Sequence, residues 1–584
     1  MSSNVETLNG GISDSHPKGL YVLFGTEMWE RFSFYSMLAL FTLYLRDPAE
    51  GFGWTAAEAT SLYANYLAFV YASPLIGGLI ADRLTGYRKA VIIGGFFFMA
   101  GHGLLSIPAI WAVYAALTCL VIGNGFFKPN VSTMVGNLYP EGSALKDRAY
   151  NIFYMGINIG AFIAPIVMEI VKAKFGFHAA FAVAAFGMVI SVTILWYFKN
   201  LVEDPNKNAL ATENVNLKNI ADPNQAADTA ATAVDAPPHG ISDQDEGGRK
   251  AASAARQSLM DSVPVWKRVG ALIVVFAIVI VFWMAFHQNG STLTYWADDN
   301  TNWNVSGTIS NSINAFWVVT LTFPLIWFWG FLNKRGKEPA TPTKMAIGMT
   351  LTGLSFLVLW YGATTGEKQI PTTEQLSAGA FRINERVATN LAAKNIPKDV
   401  LDKIMAAKNA DGKYIVNGVK FAAHSEEAIK DENDAMAKDG KPALTEEEKT
   451  RMRSGEAQLI HAVDTAAPGV GTQNRQAFLQ GAYLFRISPF WLILAYAIVT
   501  LGELMLSPMG LSLVSKVAPL KMRGLLMGGW FVATAIGNKL TMIGIYWDIW
   551  LQSSFFLILA GMALVMAVVL FILIKPLKKA MPGV

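Results

Sequence analysis

Glu27-Met28-Trp29-Glu30-Arg31-Phe32-Ser33-Phe34-Tyr35 places three ionisable side chains inside an apolar run from Leu20 to Leu45. At about 100° per residue, Glu27, Glu30, Arg31 and Phe34 fall on one helical face with Tyr35 beside them. One polar stripe therefore turns away from lipid, toward protein or water. Each mid-helix charge costs roughly 2.5 to 3.5 kcal/mol on insertion, so an intramembrane ionisable residue is read first as functional. A structural salt bridge between Arg31 and one glutamate would leave the other glutamate unexplained.

The chain around this run has 584 residues, 53% hydrophobic and 15% charged. That composition belongs to a membrane protein of many spans and not to a soluble enzyme. One cysteine, Cys119, excludes an intrachain disulfide and a multi-cysteine metal centre. No metal or cofactor is called for. The seven histidines are scattered, which supplies no nucleophile and base pair for an enzyme.

Windows of about 20 apolar residues predict an all-α membrane protein. Its twelve spans lie near 20–45, 60–81, 88–107, 111–136, 150–171, 178–198, 267–292, 310–332, 343–363, 489–514, 523–546 and 551–574. The run after the first nineteen polar residues is too long and too charged for a cleavable signal. Short loops on one side hold Arg83, Arg88, Lys89, Lys146, Arg148, Lys334, Arg335, Lys337, Lys344, Lys516, Lys521 and Arg523, with Lys575, Lys578 and Lys579 at the tail. The other side holds Arg46, Lys172 and Lys174 with Asp298, Asp299 and Asp548. By the positive-inside rule both termini are cytoplasmic.

The expected organisation is a tail (1–19), a six-helix bundle (20–198), a linker (199–266), helices seven to nine (267–363), an insertion (364–486), helices ten to twelve (487–574) and a second tail (575–584). The linker, rich in Ala, Asn, Asp and Pro, reads as disordered. The insertion falls on the extracytoplasmic side and reads as a small soluble domain. It has helical patterning around 384–407 and a hairpin signal in Tyr414-Ile-Val-Asn417-Gly418-Val-Lys-Phe421, where Asn-Gly suits a type I′ turn.

The spacing Glu27-x-x-Glu30-Arg31-Phe32-x-x-Tyr35 resembles the first-helix signature of the proton-dependent oligopeptide transporters, a branch of the major facilitator superfamily. That family usually has tyrosine at the position of Phe34, so one hydroxyl is missing here. The resemblance continues in the loop Asp82-Arg83-Leu-Thr-Gly86-Tyr-Arg88-Lys89 and in Gly123-Asn124-Gly125-Phe-Phe-Lys128-Pro129-Asn130, with a lysine beside a helix-breaking proline. It includes Phe153-Tyr154-Met-Gly156-Ile157-Asn158-Ile-Gly160 on the fifth span. The second half adds Phe282-Trp283-Met-Ala-Phe286-His287-Gln288-Asn289, Asn314, Gly502-Glu503-Leu-Met-Leu-Ser507-Pro508, in which the proline opens the helix, and Gly528-Gly529-Trp530.

The resemblance implies two six-helix halves and alternating access, with lysine at 128 facing the glutamate stripe. The polar groups divide by sign. Arg31 and Lys128 of the first half would hold a peptide carboxylate by charge-assisted bonds, and Glu503 of the second half its amine. Asn158 and Asn314 would meet the amide, with Tyr35, Tyr71, Trp283, Ser507 and Trp530 around them. Glu27, Glu30, Arg31 and Lys128 would couple protons. Many relatives have arginine in place of Leu38 and an acid in place of His287. Here both are absent, and His287 is expected to sense external pH at the outer gate. Expected partners are small peptides, protons and the lipid bilayer of a cell membrane, the inner membrane of a bacterium, and no nucleic acid. The oligomeric state is not legible. The alternatives are a carrier of nitrate, amino acids or peptide-like drugs, and a peptide sensor that moves nothing.

Overall fold

The computed structural model describes residues 16–139, 144–202, 262–303, 306–392, 396–409, 414–438, 440, 442–519 and 522–582. Most of the predicted linker, residues 203–261, and the side chains of Asp82, Lys146, Arg148, Lys516, Lys521 and Arg523 lie outside this set.

Every predicted span falls on helix. The membrane helices are α1 (Lys18–Arg46), α2 (Ala56–Ile80), α3 (Tyr87–Leu104), α4 (Ile110–Asn137), α5 (Ala144–Tyr197), α6 (Val265–Phe286), α7 (Thr292–Asp299), α8 (Ser310–Lys334), α9 (Thr341–Glu367), α10 (Phe490–Val517), α11 (Arg523–Leu540) and α12 (Gln552–Ala580). Spans five and six share α5, and Gly176, at φ 81°, breaks the helix between them. That backbone region suits glycine because it has no Cβ. Span seven runs from α6 through a 3₁₀ turn, His287–Gly290, into α7. Eight segments are apolar and long enough to cross a membrane on length and composition alone. Helix α1 falls short of that measure because of the charges between Glu27 and Arg31.

Two proline expectations are corrected. Helix α4 continues through Pro129 to Asn137, and α10 continues through Pro508 to Val517. A membrane helix tolerates proline where neighbouring helices or side chains satisfy the freed carbonyl. At Pro129 the Gly125 carbonyl is pressed against Gly77 of α2, where an added Cβ would come within 1.9 Å of it.

Helix α1 packs along α5, α3 along α4, and α9 against α10 and α12, while α2–α11 and α5–α8 contacts join the halves. The approach of α5 to α1 depends on Gly160, since a Cβ there would meet the Met28 carbonyl oxygen at 2.4 Å. Small residues permit such close packing where lipid gives no hydrophobic drive. It places α5 directly behind the Glu27–Arg31 stripe.

The insertion has its own apolar core, with Phe381, Ile383, Leu459, Val463 and Phe478 buried. Helices Glu385–Ala392 and Lys398–Ala406 occupy the segment of helical periodicity. The hairpin does not form. A type I′ turn needs positive φ at both central residues, and only Asn417 has it, at 63°. Its side-chain Oδ1 instead accepts the Glu385 N–H at 2.9 Å, capping a helix, while Val416 pairs with Ile383 and Phe421 with Phe381. Lys420 joins the insertion to the end of α7, 3.2 Å from Asp298 and 2.9 Å from Asp299, and Arg382 lies 2.9 Å from Asp299. Burial alone would lower the Lys420 pKa, but the two aspartates override it and hold the ammonium well above its usual range.

Candidate functional site at the interface of the two halves

Arg31 is buried among acids. Its guanidinium donates through Nε to Glu30 Oε2 and through Nη2 to Glu30 Oε1 at 2.5 Å, a fork-to-fork pair. Glu27 Oε1 lies 3.4 Å from Nε, and Glu27 Oε2 has no hydrogen-bond partner among the described residues. Glu27, Glu30 and Arg31 are 2%, 0% and 4% exposed. Arg31 therefore meets both glutamates, but unequally. Phe34 lies under the guanidinium, 4.7 Å from Cζ to the ring centre, and its edge meets Tyr35. The aromatic ring retains its cation contact despite the missing hydroxyl.

Lys128 projects from α4 onto the ring of Tyr71 on α2, 4.8 Å from its centre. His287 also meets that ring, at 5.5 Å, and stacks on Trp283 at 5.3 Å. His287 is 5% exposed, and neither ring nitrogen has a hydrogen-bond partner among the described residues. Lys128 and His287 thus face one tyrosine from the two halves. Across the interface, Asn314 Nδ2 on α8 donates to Glu503 Oε2 at 3.0 Å and to Thr500 Oγ1 at 2.9 Å. Tyr35 and Tyr71 both stand within electrostatic range of Arg31 and of Glu503, so the groups of opposite sign share one space.

The remaining residues separate. Asn158 donates to the Tyr154 carbonyl of its own helix at 2.9 Å. Asn314 gives its Nδ2 hydrogens to Glu503 and Thr500, so it orients that carboxylate in this conformation. Ser507 is half-buried one turn beyond Glu503. Trp530 packs within the second half, its ring crossing that of Phe276. It is 2% exposed and fills the notch over Gly510, where a Cβ would come within 1.8 Å of Cη2.

Hydrogen bonds between the halves cluster on the insertion side of these charges. Thr42 Oγ1 donates to the Gly290 carbonyl at 2.9 Å, Tyr63 Oη to that of His287 at 3.4 Å, and Ser312 Oγ to that of Phe162 at 2.9 Å. Ser306 bonds Glu169 and Lys172. Sequence reasoning missed Tyr63, because an aromatic in an apolar run gives no signal of a long-range bond. It also missed Lys539 on α11, whose inward direction toward Asn65 the sequence does not signal.

The profile of the POT family matches residues 88–390 and 462–546, leaving α1 and its charges outside the matched part. An uncharacterised transporter of Bacillus subtilis (strain 168), YclF, is 25% identical over 97% of this chain and 96% of its own length. A di-/tripeptide transporter of Lactococcus lactis subsp. lactis (strain IL1403) is 29% identical over 59% of this chain and 75% of its own. Crystal structures of a peptide transporter POT in complex with sulfate and, as a mutant, with alafosfalin superpose with TM-scores of 0.64 and 0.63. Both are 26% identical to this chain, covering 97% of it and 96% of their own. The profile match spans both halves and the fold agrees over nearly the full length, so this multi-pass membrane protein belongs to the POT family and has its major facilitator architecture.

Proposed function

We propose that the protein imports di- and tripeptides together with protons by alternating access, and that the described conformation is closed on the insertion side. The observation that carries this reading is that Tyr35 and Tyr71 of the first half stand in range of both the Arg31 cation and the Glu503 carboxylate of the second half, with Lys128 over the Tyr71 ring. A zwitterionic peptide presents the complementary pair of charges. Two relatives, a di-/tripeptide transporter and a peptide transporter, support the substrate class. The positive-inside asymmetry of the loops supports cytoplasmic termini and an extracytoplasmic insertion, in a bacterial inner membrane.

Energetics permit coupling. One proton moving down about 100 mV and one pH unit releases roughly 3.7 kcal/mol, enough for a gradient of about 500-fold. Purified protein in liposomes should therefore accumulate labelled dialanine under an imposed inward proton gradient, and accumulation should collapse with a protonophore. Counterflow without net accumulation would remove proton coupling, and binding without counterflow would make the protein a sensor. Equal handling of nitrate would overturn the peptide assignment.

In the same reading, His287 and Lys128 meet the Tyr71 ring from the two halves, so a proton on His287 would set a second cation against that ring. His287→Gln should flatten the dependence of uptake on outside pH between about 5.5 and 7.5, the range in which the imidazole titrates once opening of the outer gate returns it to water, with dialanine affinity nearly unchanged. An unaltered pH profile with normal uptake would discard the sensing role. A collapse of binding would move His287 into the peptide site.

A further inference from the structure

Helix α11 contains a cation that the Arg31 site does not absorb. Lys539, in its last turn, donates through Nζ to Asn65 Oδ1 on α2. It also lies 3.6 Å from Met542 Sδ, which accepts Ser61 Oγ–H at 3.6 Å. No carboxylate pairs with Lys539 among the described residues, so its charge is met by one neutral amide and a thioether. Asn65 is nine residues into α2, about 13 Å from the helix start at 1.5 Å per residue. The bond therefore lies more than two turns inside the end of α2, where a lysine without a carboxylate partner is costly and worth a functional reading.

The bond also crosses from one half to the other at a place where α11 cannot follow α2. Two residues before Lys539, Gly537 lets α11 sit so close to α6 that a Cβ would meet the Ile280 carbonyl oxygen and Trp283 Cβ, each at 2.6 Å. Lys539 is thus pinned to the second half. When α2 and α11 separate, the bond must break, and a hydrated ammonium gains what Asn65 gave it.

We infer that the Lys539–Asn65 bond is a state-dependent latch of the insertion-side gate, and that Lys539 sets the balance between the closed and open forms of that gate. The inference rests on the alternating-access reading above. Its strength is tunable in both directions, because the present acceptor is neutral. Losing the donor weakens the latch, and placing a carboxylate at position 65 strengthens it.

The test uses the full chain with Cys119→Ala and Ser61→Cys, in right-side-out vesicles treated with a membrane-impermeant maleimide. Lys539→Met in that background should raise the labelling rate at position 61 by about tenfold, the population shift expected from loss of a hydrogen bond to a charged group. Asn65→Asp should lower the rate by a similar factor, a response that damaged packing would not produce. Labelling unchanged by Lys539→Met, or raised by both substitutions, would overturn the latch. If the reporter background itself does not respond to saturating dialanine, the alternating-access reading is what fails. If it responds while Lys539→Met does not alter it, the latch alone is wrong.

Discussion

Glu27→Gln is expected to reduce the proton-driven accumulation ratio of dialanine from the several-hundred-fold range to about one, while counterflow exchange stays within a few-fold of the parent. The argument lies in the unequal roles of the two glutamates. Glu30 takes both arms of the Arg31 guanidinium, so protonating it would sacrifice two charge-assisted bonds in a buried site. Glu27 holds Arg31 only at 3.4 Å and leaves Oε2 without a partner among the described residues, so a proton there displaces little. Glutamine imitates the protonated acid in size and neutrality. The carrier would behave as if permanently loaded, able to exchange peptide but unable to draw on the gradient. Glu30→Gln should instead lower both activities together, since it unpairs a buried arginine at a cost of about 3–5 kcal/mol. If Glu27→Gln lost exchange as completely as accumulation, Glu27 would be structural and the proton site would lie elsewhere.

The twelve spans were legible because lipid demands length and apolarity, and twenty residues leave a plain trace in sequence. The charges of α1 were equally plain, since Glu27, Glu30 and Arg31 stand out against any apolar background. Their ranking was not: periodicity places both glutamates beside Arg31, but only side-chain geometry shows that Glu30 takes the fork. Asn314 and Trp530 show the same limit from the other side. An amide and an indole in apolar helices look available for a ligand, yet the first is bonded to Glu503 and Thr500 and the second is packed on Gly510. The Asn417-Gly418 signal failed because the neighbouring strand partner came from Ile383 and not from the next turn of chain, which local turn chemistry cannot foresee. Lys539 was overlooked for a different reason. It sits close to the end of a predicted span, where a lysine reads as a residue that reaches for the interface, although it points inward to Asn65.

Glu503→Gln is expected to weaken dialanine binding by roughly 10- to 150-fold, the value of a hydrogen bond to a charged group at about 1.5–3 kcal/mol, and to do so only for substrates with a free amine. In the parent, Asn314 donates an N–H to Oε2, and in this proposal the other carboxylate oxygen meets the peptide ammonium. A glutamine must turn its own carbonyl oxygen to Asn314, because two N–H groups facing one another would both lack an acceptor. Its NH2 then points at the peptide ammonium, donor against donor, so the substitution does more than remove a charge. N-acetyl dialanine has no ammonium to repel and presents a carbonyl that accepts from that NH2. The preference for free over acetylated dipeptide should accordingly fall to within about threefold of unity, as when a site loses the group that enforces discrimination. Competition of each ligand against labelled dialanine in counterflow measures the ratio directly. If the mutant still favours the free dipeptide by the parental ratio, the ammonium is held elsewhere and Glu503 serves the gate. Asn314→Ala separates these outcomes, since it leaves the Glu503 charge in place but removes its orienting donor. Modest loss of affinity with retained discrimination is the expected result.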